Sequence, residues 1–207
     1  TRFSEDRVRA SRNFANKLWN ATRFVLMNLE DGKTYDYDKN DLELEDKWIL
    51  SKLNKAKMQI QKNLENFEIG LAAGEIYEFI WFVFCDWYVE FVKPRLYGEE
   101  ESRKNVALGV LSQVLTESIS LLHPFMPFIT EEIWQTLPGV EGKIIHADFP
   151  TAKDEDTHAD AEEAIDLAIE AVTAIRNERQ SRDIAPSKKS PVIFYAEKEE
   201  ARGLLAQ

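Results

Sequence analysis

Apolar residues recur every three or four positions over most of the chain, which is the spacing of an amphipathic helix. The two clearest stripes are Ile49, Leu53, Ala56, Ile60, Leu64 and Phe67, and Leu108, Leu111, Leu115, Ile119 and Leu122. The spacing predicts a mainly α fold with helices near 4–28, 45–66, 71–96, 103–122, 130–136 and 159–180.

Two segments interrupt the helical pattern. The stretch EDGKTYDYDKND, 30–41, is polar and predicts a loop. The second, 137–158, has Pro and Gly at one end, an acidic tail at the other and at most a short extended piece at Ile144 to His146. It marks a boundary between a helical bundle, 1–150, and a second part, 151–207.

That second part is predicted to hold a linker, a long helix and the start of a small α/β domain. The alternating, β-rich stretch PVIFYA, 191–196, predicts the first strand of this domain. The domain is expected to be truncated at Gln207.

A proline corner separates two of the predicted helices, in the stretch LLHPFMPFITEEIW. Pro124 cannot continue a helix, because its ring removes a hydrogen-bond donor and crowds the preceding turn. Thr130 is expected to cap the next helix, with Glu131 and Glu132 in its first turn. His123 has no second ligand at a suitable spacing, so a capped helix end is favoured over a metal site.

Composition narrows the class of protein. The 207 residues are 44% hydrophobic, and 37 acidic residues against 26 basic ones give a net charge of -11. This excess of acid argues against a polybasic nucleic-acid binder, although it leaves local basic patches open. The apolar stretch 76–92 contains three acidic residues and is too interrupted for a membrane span, so it predicts a buried helix.

The single cysteine, Cys85, lies within this apolar stretch and has no partner for a disulfide or a zinc cluster. A buried thiol in a reducing, cytoplasmic setting is therefore expected.

The first predicted helix has two different faces. Phe14, Leu18, Ala21 and Val25 fall on one side and predict contact with a core. The opposite side is basic and amide-bearing with one aromatic residue, and consists of Arg9, Arg12, Asn16, Trp19, Asn20 and Arg23. Residues 7 to 23 include five bases and no carboxylate.

Such a local excess of positive charge indicates a phosphate-bearing partner. Arg and Asn side chains can also bond the edges of unpaired bases, and Trp19 offers a ring for stacking. An ordinary solvated basic face, with Trp19 packed on a neighbouring helix, is about as well supported by the residues alone.

A second basic cluster lies at the end of the last long helix and in the loop after it, and consists of Arg176, Arg179, Arg182, Lys188 and Lys189. Two separated basic sites suit an extended polyanion better than a small ligand.

Several segments together resemble a known family. RNFANKLWNATRFVLMNL, DKWILSKLN, YEFIWFVFCDWYVEFVKPRLYG and LLHPFMPFITEEIWQTLP are similar, in order and spacing, to the anticodon-binding helical domain of bacterial valyl-tRNA synthetases. AIRNERQSRDIAPSKKSPVIFYA resembles the start of the small domain that follows it. The proline corner and DKWILSKLN are shared with the isoleucyl and leucyl enzymes, whereas the form of the first helix is typical of the valyl family.

The resemblance implies a class I synthetase that joins valine to its tRNA in the cytoplasm, using ATP and magnesium. The implied partners are the anticodon loop and stem of a valine tRNA and the rest of the synthetase chain, with no membrane and a monomeric state. It places the anticodon-reading surface on the loop after the first helix and on Arg12, Asn13, Asn16, Asn20 and Arg23. The other expected tRNA contacts are Arg9, Trp19, Arg176, Arg179, Lys188 and Lys189.

No residues of this chain are expected to be catalytic or to bind a metal or cofactor. The two signatures that handle ATP in this class, HIGH and KMSKS, do not occur, and PSKKS at 186–190 follows the helical domain and predicts a loop. This piece alone should be inactive. Two alternatives remain at this stage, namely an isoleucyl-type anticodon domain and a helical protein-interaction module that binds no RNA.

Overall fold

Helices make up most of the protein in a computed structural model that describes residues 4–30, 33–185, 187–189 and 191. The α-helices are α1 Glu5–Asn28, α2 Leu44–Glu65, α3 Ile69–Glu78, α4 Val89–Phe91, α5 Lys93–Leu96, α6 Glu101–Leu122, α7 Pro127–Trp134 and α8 Ala159–Ser181. A π-helix, Phe79–Tyr88, connects α3 to α4. No strand occurs in these ranges, and the predicted mainly α class is confirmed.

The chain divides into two compact units, Thr1–Thr157 and His158–Gln207. The first is the helical bundle, and the described part of the second is mostly α8. The division at residue 150 stays a prediction. The strand predicted at 191–196 lies outside the described residues apart from Pro191, so the α/β character of the second part also stays a prediction.

Both predicted apolar stripes face the bundle core, with one exception at an end. Ile49, Leu53, Ala56 and Ile60 are buried in α2, and every residue of the α6 stripe is buried. Phe67 is the exception, since it lies beyond the end of α2, has a left-handed backbone with φ 58° and is 88% exposed. Its amide bonds the Leu64 carbonyl and that of Glu68 bonds the Asn63 carbonyl, so Phe67 takes the position that glycine usually occupies after a helix.

The most central helix is α6. By length and composition alone it is apolar enough to cross a membrane, but 72% of its most apolar 18-residue stretch is buried inside the structure. This burial is typical of the core helix of a bundle. The apolar stretch 76–92 is mostly π-helix and is buried only in part, since Phe79, Ile80, Phe84 and Tyr88 are buried whereas Phe82 is 53% exposed.

The helix predicted at 71–96 differs from the one found. It begins at Ile69, continues as α3 into the ten-residue π-helix and ends in the short helices α4 and α5. In a π-helix the hydrogen bonds join residues five apart, which periodicity arguments based on α-helices cannot anticipate.

Buried polar side chains fix the start of α2. The Asp46 carboxylate accepts bonds from the Tyr88 hydroxyl at 2.7 Å and from Nη1 of Arg95 at 2.7 Å. It also accepts the backbone amide of Glu43, which completes a capping box. Burial raises the pKa of Tyr88 well above its ordinary value. Asp46 therefore ties α2 to the π-helix and to α5.

The proline corner is present, but its details differ from those predicted. The helix before it ends at Leu122, as expected, whereas α7 already begins at Pro127 with Met126 as its N-cap. Thr130 therefore lies inside α7 and is not its cap, and Glu131 and Glu132 are not in its first turn. The reason is that the fixed φ of proline suits the first helical position.

Within this corner the Thr130 hydroxyl bridges two elements. It lies 2.9 Å from the Met126 carbonyl, to which it donates, and 2.7 Å from Nδ1 of His123. His123 is thus part of a structural corner, as the sequence indicates. The extended piece expected at Ile144 to His146 is a 3-10 helix instead, closed by bonds from His146 to Lys143 and from Ala147 to Ile144.

Candidate nucleic-acid interface

Helix α1 lies on the surface of the bundle and packs on the π-helix, α6 and α7. Its inner side is formed by the predicted residues Phe14, Leu18, Ala21 and Val25, all buried, together with Thr22. Because α1 is amphipathic, burial of this stripe forces the opposite side into solvent.

The outer side of α1 carries the predicted interface. Seven residues are exposed along it over about four turns, namely Arg9, Arg12, Asn13, Asn16, Trp19, Asn20 and Arg23. Trp19 is 37% exposed, so part of its ring is available for stacking while the rest is covered. We call this surface the α1 face.

The arginines of the α1 face are not committed to other side chains. Within the described residues, Arg9, Arg12 and Arg23 form no ion pair or side-chain hydrogen bond. A surface arginine without an acidic partner keeps its five donors available for phosphate or base edges. The α1 face can therefore present up to three free guanidinium groups and three amides to a polyanion.

Two charges modify the predicted basic patch. Glu5 and Asp6 form the acidic first turn of α1, so the acid-free part of the helix begins at residue 7. Glu5 also lines an open depression with Val8, Arg9 and Arg12. Lys17, one of the five bases in residues 7 to 23, is paired with Asp86 of the π-helix at 2.5 Å.

The loop after α1 is held in place across the bundle. Tyr35 accepts a bond from the Glu30 amide at 3.0 Å, and the Tyr37 hydroxyl donates to Gln113 of α6. The loop crosses α6 at Gly109, where a Cβ atom would lie 2.4 Å from the Tyr35 carbonyl oxygen. Burial, and next the charge of Asp156, raise the pKa of Tyr37 to about 12.

These contacts form a cavity of about 480 Å³ between the loop and α6. The sequence places anticodon contacts in this loop but gives no sign of its anchoring. The only clue is a glycine, Gly109, in the middle of a core helix, a position that often marks a close approach of two backbones.

The second basic cluster is largely committed within its own unit. Arg179 donates to the carbonyls of Ala185 and Lys188, both at 2.6 Å, and Arg182 pairs with Glu178. These bonds close the loop after α8, in which Asp183 has a left-handed backbone with φ 51°. Lys188 and Lys189 are exposed. As a tRNA contact this cluster stays a prediction.

Comparison with known families decides the class of fold. Residues 46–194 match the family described as the anticodon-binding domain of tRNA ligase. The chain belongs to this family. This is the family that the sequence predicts, and the mainly α bundle is its fold.

Similar proteins of known identity are valine–tRNA ligases. The chain is 46% identical to that of Clostridium tetani over 196 residues, which cover 94% of the chain and 22% of the relative. It is 44% identical to that of Carboxydothermus hydrogenoformans and 43% identical to that of Geobacter sulfurreducens, in each case over 99% of the chain and 23% of the relative. The chain thus spans less than a quarter of the length of these relatives.

A solved structure has a similar fold. The LeuRS of Agrobacterium radiobacter, in a ternary complex with tRNA and LeuAMS, superposes with a TM-score of 0.57 and 19% identity. The similarity covers 76% of this chain and 18% of that one. At this identity it supports the fold of the anticodon-binding domain.

Proposed function

We propose that the chain is the anticodon-binding part of a valine–tRNA ligase and that the α1 face binds the anticodon loop and stem of a valine tRNA. The observation that supports this most directly is the row of exposed, unpaired arginines Arg9, Arg12 and Arg23 interleaved with Asn16 and Trp19. Valine–tRNA ligases resemble the chain over nearly its whole length, which supports the valyl assignment over the isoleucyl-type alternative.

In this proposal the arginines and asparagines have two kinds of contact. Guanidinium groups that meet phosphates hold the loop and give a salt-dependent affinity, whereas paired bonds from Arg or Asn to base edges distinguish one anticodon from another. Trp19 supplies a stacking surface for an unpaired base. Lys188 and Lys189 are proposed as further contacts to the same RNA.

The test is binding of the 207-residue chain to a valine anticodon stem–loop and to a stem–loop with an altered second or third anticodon base. Arg12→Ala and Arg23→Ala should each weaken binding by about 1–3 kcal/mol, and at least one should reduce the discrimination between the two loops. Arg7→Ala is the matched control, because Arg7 lies on the opposite side of α1. Unchanged affinity and discrimination for both variants would contradict the proposal.

The catalytic chemistry belongs elsewhere in such a ligase. Among the described residues, no group of three or more His, Cys, Asp or Glu side chains could hold a metal ion, and the sequence carries neither ATP signature of the class. We place ATP and magnesium in the remainder of a monomeric, cytoplasmic ligase. We expect the isolated chain to show no valine-dependent ATP–pyrophosphate exchange, and any exchange above a blank would overturn this.

The protein-interaction alternative has less support. Its sign would be an apolar stripe on one exposed face, but the most exposed large apolar side chains lie on different elements. These are Met27 on α1, Phe67 after α2 and Phe128 on α7.

A further inference from the structure

The π-helix places two residues of different chemistry on the same side. Its hydrogen bonds join residues five apart, so residues i and i+5 lie on successive turns and roughly on the same side of the helix. Trp81 and Asp86 have this spacing. In an α-helix of 3.6 residues per turn the same two side chains would point in clearly different directions.

Both residues converge on Lys17 of α1. Its Nζ lies 2.5 Å from Oδ1 of Asp86 and 4.0 Å from the centroid of the Trp81 ring. The Lys17 side chain is 23% exposed and that of Asp86 is 43% exposed, so the ion pair is partly shielded from water. Partial burial strengthens both the charge attraction and the cation–π contact.

A second contact joins the same two helices one turn earlier on α1. The Phe14 ring is stacked with Trp81 at a centroid distance of 6.3 Å and an interplanar angle of 17°. Phe14 also contacts Tyr77, which stacks on Trp81 at 5.7 Å. Trp81 therefore contacts both an aromatic ring and a cation of α1.

These contacts fix the rotation of α1 about its own axis. Phe14 lies on the buried inner side of α1, and Lys17, three residues later, lies at the edge of the α1 face. A rotation of α1 that moved Arg12 or Asn16 would therefore separate Lys17 from Trp81 and Asp86. We propose that Lys17 is a positioning residue, which holds the α1 face in register for the anticodon loop and does not itself contact the RNA. This inference rests on the proposed function of that face.

The competing role for Lys17 is a direct phosphate contact, and the two roles give opposite signs for a change at Asp86. If Lys17 contacted phosphate, Asp86→Asn would release it and remove a nearby negative charge, so binding would become tighter and more salt-dependent. If Lys17 positions α1, the same change loosens the helix and weakens binding without altering the salt dependence.

The first experiment measures binding of the valine anticodon stem–loop to the 207-residue chain over a range of salt concentrations. Lys17→Met and Asp86→Asn should each weaken binding by about three- to tenfold with an unchanged salt slope, whereas Lys17→Arg, which keeps the charge, should stay within about twofold. Lys62→Met, at an exposed position on α2, is the control for loss of one positive charge. Tighter binding by Asp86→Asn, or a slope reduced by about 0.7–0.9 in Lys17→Met, would overturn the positioning role.

The second experiment needs no RNA. Amide hydrogen exchange in the middle of α1 should be about three- to tenfold faster in Lys17→Met and Asp86→Asn than in the unaltered chain, and unchanged in Lys62→Met. Unchanged exchange in both Lys17→Met and Asp86→Asn would overturn the inference even if the chain binds RNA. If the unaltered chain binds no stem–loop, the proposed function and the positioning role both fail, while the exchange rates still show whether Lys17 restrains α1.

Discussion

Asp46 and Arg95 form an ion pair at the base of the bundle, with 2.7 Å between Oδ2 and Nη1 and with side-chain exposures of 0% and 3%. The pair joins α2 to α5 across 49 residues of sequence. A buried ion pair of this kind contributes little net stability compared with an apolar pair, and the Arg95 guanidinium also pairs with Glu43 at 3.2 Å and with Glu45 at 3.1 Å.

Asp46→Ala should destabilise the chain by about 1–3 kcal/mol in chemical denaturation, because the buried Tyr88 hydroxyl loses its acceptor while Arg95 keeps Glu43 and Glu45 as partners. Asp36→Ala provides the control, since Asp36 is exposed and the same substitution there should change stability by less than about 0.5 kcal/mol. A loss below about 1 kcal/mol for Asp46→Ala would mean that another group accepts the bond from the Tyr88 hydroxyl.

The same substitution should have opposite effects at two helical glycines. At Gly109 of α6 a methyl group would lie 2.4 Å from the Tyr35 carbonyl, so Gly109→Ala should destabilise the chain by about 1–3 kcal/mol and displace the loop after α1. At Gly74 of α3 nothing lies within 4 Å, so Gly74→Ala should stabilise it by about 0.5–1 kcal/mol. Equal effects at both positions in thermal or chemical unfolding would show that the loop does not press on α6.

Alkaline pH should weaken the anchor formed by Tyr37. Its pKa is raised from 10.0 to about 12 in the folded chain, so the folded state retains the proton more tightly than the unfolded state. The resulting stabilisation is complete below pH 10 and is lost as the pH rises towards 12. Tyr37→Phe removes this contribution.

The stability difference between the unaltered chain and Tyr37→Phe should accordingly shrink from pH 10 to 12, as measured by denaturant unfolding at several pH values. Comparison with Tyr37→Phe cancels the titration of Tyr88 and Cys85, whose pKa values burial also raises. A difference that stays constant over this range would show that Tyr37 does not titrate differently in the two states.

Two tryptophans that follow the same helical pattern should differ in importance. Trp48 is 1% exposed, and Trp48→Ala should cost about 3–5 kcal/mol because it leaves a cavity in the core. The sequence predicts the same core role for Trp81, but this ring is only half-buried. We expect Trp81→Ala to lower the free energy of unfolding by about 1–3 kcal/mol. Chemical denaturation of the two variants in parallel measures both losses, and a larger loss for Trp81→Ala would contradict this expectation.

The sequence predicts what depends on local periodicity. The buried side of α1, its exposed α1 face and the end of α6 before Pro124 all follow from residue spacing over one or two turns. The contacts that it does not predict join distant segments, as in the pairing of Lys17 with Asp86 across 69 residues. A pair of this kind leaves no periodic signal in the sequence.

The motif DKWILSKLN shows the same limit at both of its ends. Asp46 binds Tyr88 and Arg95, while the Asn54 amide bonds the backbone of Lys153 and the hydroxyl of Thr157. Nothing in the local pattern distinguishes these two buried polar residues from the solvated residues between the apolar positions. Their partners lie in segments that only the folded chain brings together.

The π-helix makes this part of the bundle tolerant to changes in chain length. Deletion of Val83 would shorten the separation of Trp81 and Asp86 from five residues to four, and four is the spacing at which two residues share a face of an α-helix. The same side chains would still reach Lys17 after the segment had closed into an ordinary α-helix. A deletion within α6 would instead turn every later core residue by about 100°. The π-helix is therefore a place where the bundle can lose one residue in evolution and keep Trp81 and Asp86 within reach of Lys17.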